Sequence, residues 1–410
     1  MTETMVFKCQ EDSFLKEFTS KVVKCEPTTE PIVEYGKTSK FEGYSITLEN
    51  TILFPAGGGQ PHDQGFLNNV EVVQVLRRGD EALHFTREPI EAGTTVEQKL
   101  NWERRFDHMQ QHSAQHLLSA ILEREHNLPT TSWWLGCDEC YVELDSLKVT
   151  ADLIRATEDR CNELIRRAVP VHLKFCKADD PSLDKAHTRG LPEDCMDTIR
   201  IISIPDVDEN LCCGTHVSNL SQLQVVKLLG AEPGKKGKTN LRFIVGNRVT
   251  KTMQKMLDRE AALTGLLKNE PSKHEELVQK LQKNLKITNK NLQNVLSELA
   301  QFEIDKIKAT KPKYLFMFKK EATPEFNRAV LKGLEGEGMF LVLISEDQDK
   351  PKEGQIMIQG PEEHCNALGP QITGVLKGKG AFKNGKFQGK VADLGGISKC
   401  KKLVDDYFSK

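Results

Sequence analysis

Two histidines one helical turn apart, His112 and His116 in Gln110-Gln111-His112-Ser113-Ala114-Gln115-His116, are answered about a hundred residues later by Cys212-Cys213-Gly214-Thr215-His216. On a helix, residues i and i+4 share a face, so the two imidazoles can converge on one ion. The second segment sets a thiol and an imidazole on either side of a glycine-bearing turn. Zinc takes such nitrogen and sulfur ligands in a tetrahedron. Two half-sites supplied by one helix and one distant turn are a common way to close a four-ligand zinc site. Each half alone has an ordinary explanation: two helix histidines, or a buried cysteine beside a capping threonine. Cys212 and Cys213 are rival sulfur donors. No Glu follows His112, so the metalloprotease pattern His-Glu-x-x-His is absent. Cys137-x-x-Cys140 has knuckle spacing, but no partner pair follows and its flanks read as strand, so it is set aside.

Composition limits the classes that remain. A chain of 410 residues predicts two to four domains. The net charge of −2 excludes a polycation, so any nucleic-acid contact must come from a local patch. Met1 to Gln10 is polar and mixed, which predicts no signal peptide, and no apolar run is long enough to span a membrane. Eleven cysteines without regular spacing predict reduced thiols in the cytoplasm rather than a disulfide framework. The aromatic fraction of 6% argues against a surface built mainly on stacked bases.

The pattern along the chain predicts an α+β multidomain protein in four parts. Residues 1–105 read as a small antiparallel β-barrel, with alternating runs at Tyr44–Leu48, Val70–Leu76 and Thr94–Leu100. The loop from Pro55 to Asp63 interrupts it. Its Gly57-Gly58-Gly59 run tolerates positive φ and lets a ligand or another backbone come close. Residues 106–246 read as an α+β domain: helices over Phe106–Glu125 and Leu153–Ala168, then strands at Val171–Leu173, Thr198–Ile204, Gln224–Leu229 and Leu241–Val245. Residues 247–310 read as a helical hairpin or coiled-coil arm. Its first helix is Asn247–Leu267; Ser272 and Glu275 suggest a capping box; apolar residues then recur from Leu277 to Phe302. Residues 311–410 read as a C-terminal α/β domain. Either the arm or this domain would provide a homodimer contact. Two basic, glycine-bearing loops are candidates for phosphate contact: Lys235, Lys236 and Lys238 in one, Lys377, Lys379, Lys383 and Lys386 in the other.

With these residues in place, the chain resembles the alanyl-tRNA editing family, free-standing homologues of the editing domain of alanyl-tRNA synthetase. Four segments carry the likeness: Asn50 to Gly65, His112 to His116, Arg189-Gly190-Leu191-Pro192 with Ile199-Arg200-Ile201-Ile202, and Leu211 to Val217. It spans residues 5 to about 250. The arm and tail resemble the long form of the family, whose C-terminal part is similar to the synthetase's own C-terminal domain. The resemblance selects Cys212, with His112, His116 and His216, as ligands of one zinc ion. Cys213 departs from the family's usual Gly, and Ser132 stands where many bacterial synthetases have Gln.

The resemblance implies hydrolysis of the ester between a wrong amino acid and the terminal ribose of tRNA, chiefly Ser-tRNA(Ala) and also Gly-tRNA(Ala). Pockets discriminate small amino acids poorly, and a second hydrolytic site removes the errors. Thr51 and Gln60 are expected to offer polar groups to the serine hydroxyl, with Gly57, Gly58 and Gly59 lining the pocket. A catalytic zinc keeps one position open, whereas four protein ligands close the shell. Either one histidine is a loose partner, or the metal mainly positions the substrate. The rival readings are a Ser-tRNA(Thr) deacylase and a non-catalytic, zinc-stabilised tRNA-binding adaptor.

Overall fold

A computed structural model describes residues 6–34, 37–177, 199–347, 349–383 and 385–409. The chain divides into two compact units, Met1–Ala262 and Leu263–Lys410. Arg189-Gly190-Leu191-Pro192 lies outside the described residues. Among the described residues no helix is long and apolar enough to cross a membrane.

The first unit opens with a short helix, α1 (Lys8–Glu11), and six strands: β1 (Glu17–Glu34), β2 (Lys37–Leu48), β3 (Gly65–Leu67), β4 (Val70–Arg78), β5 (Glu81–Thr86) and β6 (Thr95–Leu100). They close into an antiparallel barrel in the order β1-β2-β5-β4-β3-β6, with β6 returning to β1. Alternation fills it: Val22, Ile46, Leu48, Leu67, Val72, Val75 and Val96 point into one core. Between β2 and β3 the chain leaves the sheet for the glycine loop, where Gly57 and Gln60 pair and Gly58 and Gly59 hold positive φ.

Next comes α2 (Trp102–His126), capped by the Asn101 side chain and ended by Asn127 in the left-handed region. Met109, Leu117, Leu118, Ile121 and Leu122 face a core shared with the rest of the domain. That domain supplies β7 (Thr130–Leu135), β8 (Cys140–Leu144), α3 (Ala151–Arg166), β9 (His172–Cys176), β10 (Ile199–Ile204), β11 (Asp208–Leu211), β12 (Val226–Pro233) and β13 (Thr239–Val245). The strands form two sheets, β11-β10-β9 and β12-β13-β8-β7. Helix α4 (Asn247–Leu267) follows with the bounds its pattern predicts.

The second unit holds α5 (His274–Thr310), β14 (Tyr314–Lys319), α6 (Pro324–Gly333), β15 (Phe340–Asp347), β16 (Lys350–Gln359), α7 (Glu362–Val375), β17 (Lys379–Lys383), β18 (Lys386–Val391) and α8 (Ile397–Phe408). Its sheet runs β14-β15-β16-β18-β17, with β14 and β15 parallel. Ser272 does not cap α5. Pro271 starts a 3-10 turn one step early, the Ser272 hydroxyl bonds back to Glu270 (2.8 Å), and Lys273 takes the N-cap position. The C-terminal turns of α5 bury Ala300, Ile304 and Ile307 against α6, while Leu281, Leu285, Leu292 and Val295 stay exposed.

Loop, barrel and α2 are tied by one buried ion pair. Arg105, on the first turn of α2, bonds Asp63 through Nε (2.9 Å) and Nη2, and Ser13 O through Nη1 (2.9 Å). Asp63 also accepts from Phe54 N (2.7 Å). Both side chains are 0% exposed. Removing one partner of such a pair leaves a buried charge uncompensated, a loss of about 3–5 kcal/mol. Arg105→Met is therefore expected to lower unfolding free energy by that order in urea titration. A loss below about 1 kcal/mol would mean the pair does not anchor the loop.

Candidate metal centre

The middle of α2 is unusual because its polar residues are buried: Gln110, Gln111, His112, Ser113, Gln115 and His116. Buried polar groups need partners. Gln110 and Gln111 donate to the carbonyls of Gln222 (2.7 Å) and Val245 (3.1 Å). The histidines instead face the turn after β11, where Cys212 and His216 lie. One ligand atom from each of His112, His116, Cys212 and His216 falls within 4.8 Å of the others. Cys212 Sγ is 3.5 Å from His112 Nε2 and 3.2 Å from His216 Nε2. A tetrahedral shell with bonds of about 2.0–2.3 Å has edges of roughly 3.3–3.8 Å. The two Cys212 distances fall near such edges, and with every ligand atom within 4.8 Å of the rest the four residues could hold one ion.

The outer partners make the same argument from the other side of each ring. His112 Nδ1 donates to Gln60 Oε1 (2.9 Å), and His216 Nδ1 pairs with Ser113 Oγ (3.1 Å). His116 Nδ1 faces the buried Asp208 carboxylate at 3.9 Å. All three Nδ1 atoms look outward and all three Nε2 atoms are left for an ion. A ligating histidine ordinarily gives its other N–H to such a partner, which fixes tautomer and orientation. His116 Nε2 is buried with no hydrogen-bond partner, as a vacant ligand atom would be.

The turn is held by Arg200 of β10, whose buried guanidinium donates to the carbonyls of Cys212 (2.6 Å), Gly214 (2.7 Å) and Gln10 (3.0 Å). Gly214 has a steric reason to be glycine: a Cβ there would strike the His112 ring and crowd Gln60 Oε1. Gln60 ties loop to turn, accepting from Thr215 N (3.0 Å) and donating to Thr215 Oγ1 (2.7 Å).

Electrostatics suit a cation. Burial pushes the Cys212 thiol up, but the His112, His216 and His116 rings outweigh it, and the thiol sits well below its ordinary range. Burial lowers His116, yet the Cys212 thiolate and the Asp208 carboxylate raise it to about 9. His216 is lowered to about 3, chiefly by burial.

Beside the centre lies a cleft of about 530 Å³, lined by Gly57, Gly59, Gln60 and His62 of the glycine loop, with Gln74, Arg104 and Trp134. Gly58 does not line it; its carbonyl accepts from Trp133 Nε1 (3.2 Å), and Gly59 packs against the same indole. Thr51 also lies off the cleft. Its buried hydroxyl donates to Gln98 Oε1 (3.0 Å), accepts from Leu53 N (3.0 Å) and meets His84 Nε2 at 2.8 Å. Lys235 and Lys236 sit exposed at the β12–β13 turn, while Lys238 is bonded to Glu143 and Thr131 (2.9 Å each). Lys377, 3.1 Å from Asp393, and the exposed Lys379 belong to the second unit. Ser132 lies in β7 opposite Glu143. Cys137 is exposed and Cys140 is buried against the Gly136 carbonyl; among the described residues no metal-sized group includes either.

Residues 199–245 match the family model described as the threonyl and alanyl tRNA synthetase second additional domain, a span that contains Cys212 and His216. Full-length relatives agree. The chain is 43% identical to the alanyl-tRNA editing protein Aarsd1 of Mus musculus, covering 99% of this chain and 98% of that protein. It is 42% identical to Aarsd1-B of Xenopus laevis, with the same coverage. It is 32% identical to the putative alanyl-tRNA editing protein alaX of Saccharomyces cerevisiae, covering 98% and 96%.

Two measurements check the centre. His116, raised to about 9, carries a proton at pH 7 in the metal-free protein, whereas ligation needs the neutral ring. Zinc titrated in at pH 7 should release about one proton per ion by calorimetry in buffers of different ionisation heat, and affinity should climb with pH until near 9. No proton release would count against His116 as a ligand. Gln60→Ala should weaken metal affinity about 10–100-fold by chelator competition, the usual cost of losing an outer partner; an unchanged affinity would remove Gln60 from that role.

Proposed function

The chain belongs to the alanyl-tRNA editing family, and on that premise we propose that it is a cytoplasmic zinc-dependent hydrolase of mischarged tRNA. Its substrate is the aminoacyl ester on the terminal ribose, chiefly Ser-tRNA(Ala) and also Gly-tRNA(Ala). The observation that carries this reading is the buried meeting of His112, His116, Cys212 and His216, each imidazole turned Nε2-inward, beside an open cleft. When bound, zinc supplies a Lewis-acidic centre that polarises an ester carbonyl or anchors the substrate's amino group.

The chain's own residues do the rest. Gln60, Asp208 and Ser113 flank the Nδ1 sides of the three rings and hold their orientation. Arg200 fixes the turn that carries Cys212 and His216. Gly57 and Gly59 present backbone to the cleft, so a small acyl group can lie close to the loop. The Gln60 amide oxygen is taken by His112 and Thr215, and one N–H by the Thr215 hydroxyl, which leaves one N–H for a substrate hydroxyl. Serine would satisfy that donor and alanine would not, the asymmetry that hydroxyl-reading sites use. Lys235 and Lys236, with Lys377 and Lys379, would meet tRNA phosphates, a salt-dependent contribution to affinity.

The test is a deacylation panel with Ser-tRNA(Ala) and Ala-tRNA(Ala), run on the parent, His116→Ala and Cys212→Ala. The parent should release serine well above the spontaneous rate and spare alanine. Both variants should lose at least about 100-fold in kcat/KM while keeping the parent's secondary structure, roughly 2.7 kcal/mol of transition-state stabilisation. Release by the parent at only the spontaneous rate would favour the adaptor. The matching family model also takes in threonyl-tRNA synthetase; faster serine release from tRNA(Thr) than from tRNA(Ala) would move the substrate to that body.

A further inference from the structure

We infer that the cleft beside the metal centre seats the terminal adenosine of the tRNA, with Gln74 reading the base and Trp134 providing a stacking wall. This rests on the deacylase reading above and names the residues that would recognise the nucleoside. Gln74 starts the argument. It lies on β4 next to Val75, which points into the barrel core, so its side chain is on the outer face. An outer-face glutamine is ordinarily solvated, yet Gln74 is 4% exposed and lines the cleft. Its Oε1 is buried and has no hydrogen-bond partner among the described residues. Leaving an amide oxygen so placed is unfavourable, and such an atom calls for a ligand or water as its partner.

The cleft's volume, about 530 Å³, falls within the range of small-ligand sites. One side chain joins it to the chemistry: Gln60 lines the cleft and holds His112 at 2.9 Å. The base of a nucleoside whose ribose carries the scissile ester therefore has a place in the cleft, on the side where Gln60 reaches His112. Across the cleft, Trp134 leaves 48% of its surface exposed, and its indole lies over Gly136, where any Cβ would collide with the ring. An exposed indole at the rim of a polar cleft is a stacking surface for a base. Arg104 adds positive charge to the wall, with its Nε bonded to the His62 carbonyl (3.0 Å).

An amide matches one purine edge. Oε1 can accept from the adenine amino group while Nε2 donates to N7. Guanine presents acceptors at both positions and would oppose Oε1. The cleft should therefore prefer adenine to guanine.

The experiment titrates the intact, metal-loaded protein with adenosine 5′-monophosphate and guanosine 5′-monophosphate, following tryptophan fluorescence, for the parent, Gln74→Glu, Gln74→Ala and Trp134→Ala. The parent should bind the adenine nucleotide about tenfold or more tightly than the guanine nucleotide. Gln74→Ala removes the Oε1 acceptor that tells the two bases apart and should erase that preference with metal content unchanged, whereas Gln74→Glu keeps an acceptor there, loses the donor to N7, and should weaken both nucleotides while keeping the preference. Trp134→Ala, read by calorimetry, should weaken both nucleotides about tenfold. With Ser-tRNA(Ala), Gln74→Glu should raise KM and leave kcat near the parent's. Equal binding of the two nucleotides to the parent, no saturable adenine-nucleotide binding, or an unaltered preference in Gln74→Ala would overturn the assignment. Because nucleotide binding needs no turnover, adenine preference without serine release would support the cleft and refute the hydrolase. Serine release without adenine preference would do the reverse.

Discussion

The first unit depends on holding a five-residue turn, Cys212 to His216, against the polar face of α2. The turn is held from outside itself at several points, with His216 N on the Ser13 hydroxyl and the Cys213 carbonyl on Gln10. Arg200 holds it from β10 by gripping two of its carbonyls, and Gln60 holds it from the barrel loop by bonding both Thr215 and His112. Arg105 in turn fixes the end of that loop to α2 through Asp63. Three segments far apart in sequence are thus locked by buried, charge-assisted or amide hydrogen bonds, which are geometrically specific in a way apolar packing is not.

That arrangement leaves a concentration of buried polarity that an apolar core could not justify. A thiol held below its ordinary range, a histidine raised to about 9 and another lowered to about 3 lie within a few ångströms of one another. Such opposed shifts are a mark of functional sites. The four side chains could hold one divalent ion, which would take the thiolate and need His116 in its neutral form. Fold and chemistry are coupled here, since the barrel supplies Gln60 and one wall of the cleft while the α+β part supplies the clustered His and Cys side chains together with Arg104 and Trp134.

Much of this was legible in the sequence, and the limits have physical causes. The clustering of His112, His116, Cys212 and His216 could be read because helical period and turn chemistry are local. So could α2, α4 and the strands around Ile46 and Val72. The 18-residue β1 was not, because Pro27, Pro31 and several charges break its alternation. The outer partners were missed as such: Ser113, Asp208 and Arg200 are single polar residues whose role exists only through a contact up to about a hundred residues away. Gln60 was read as a substrate group, yet most of its hydrogen-bonding capacity is spent on His112 and Thr215. Thr51, read the same way, lies inside the barrel network with His84 and Gln98. Gln74 gave no signal, because a glutamine at an outward strand position looks like ordinary surface until something covers it.

The central claim is that one ion is held by three imidazole Nε2 atoms and the single sulfur of Cys212. X-ray absorption at the zinc edge of the purified protein reads that shell directly. The account predicts one zinc per chain with three nitrogen neighbours at about 2.0–2.1 Å and one sulfur at about 2.3 Å. A shell with two sulfurs, which would bring in Cys213, or one made of oxygen alone, would contradict it.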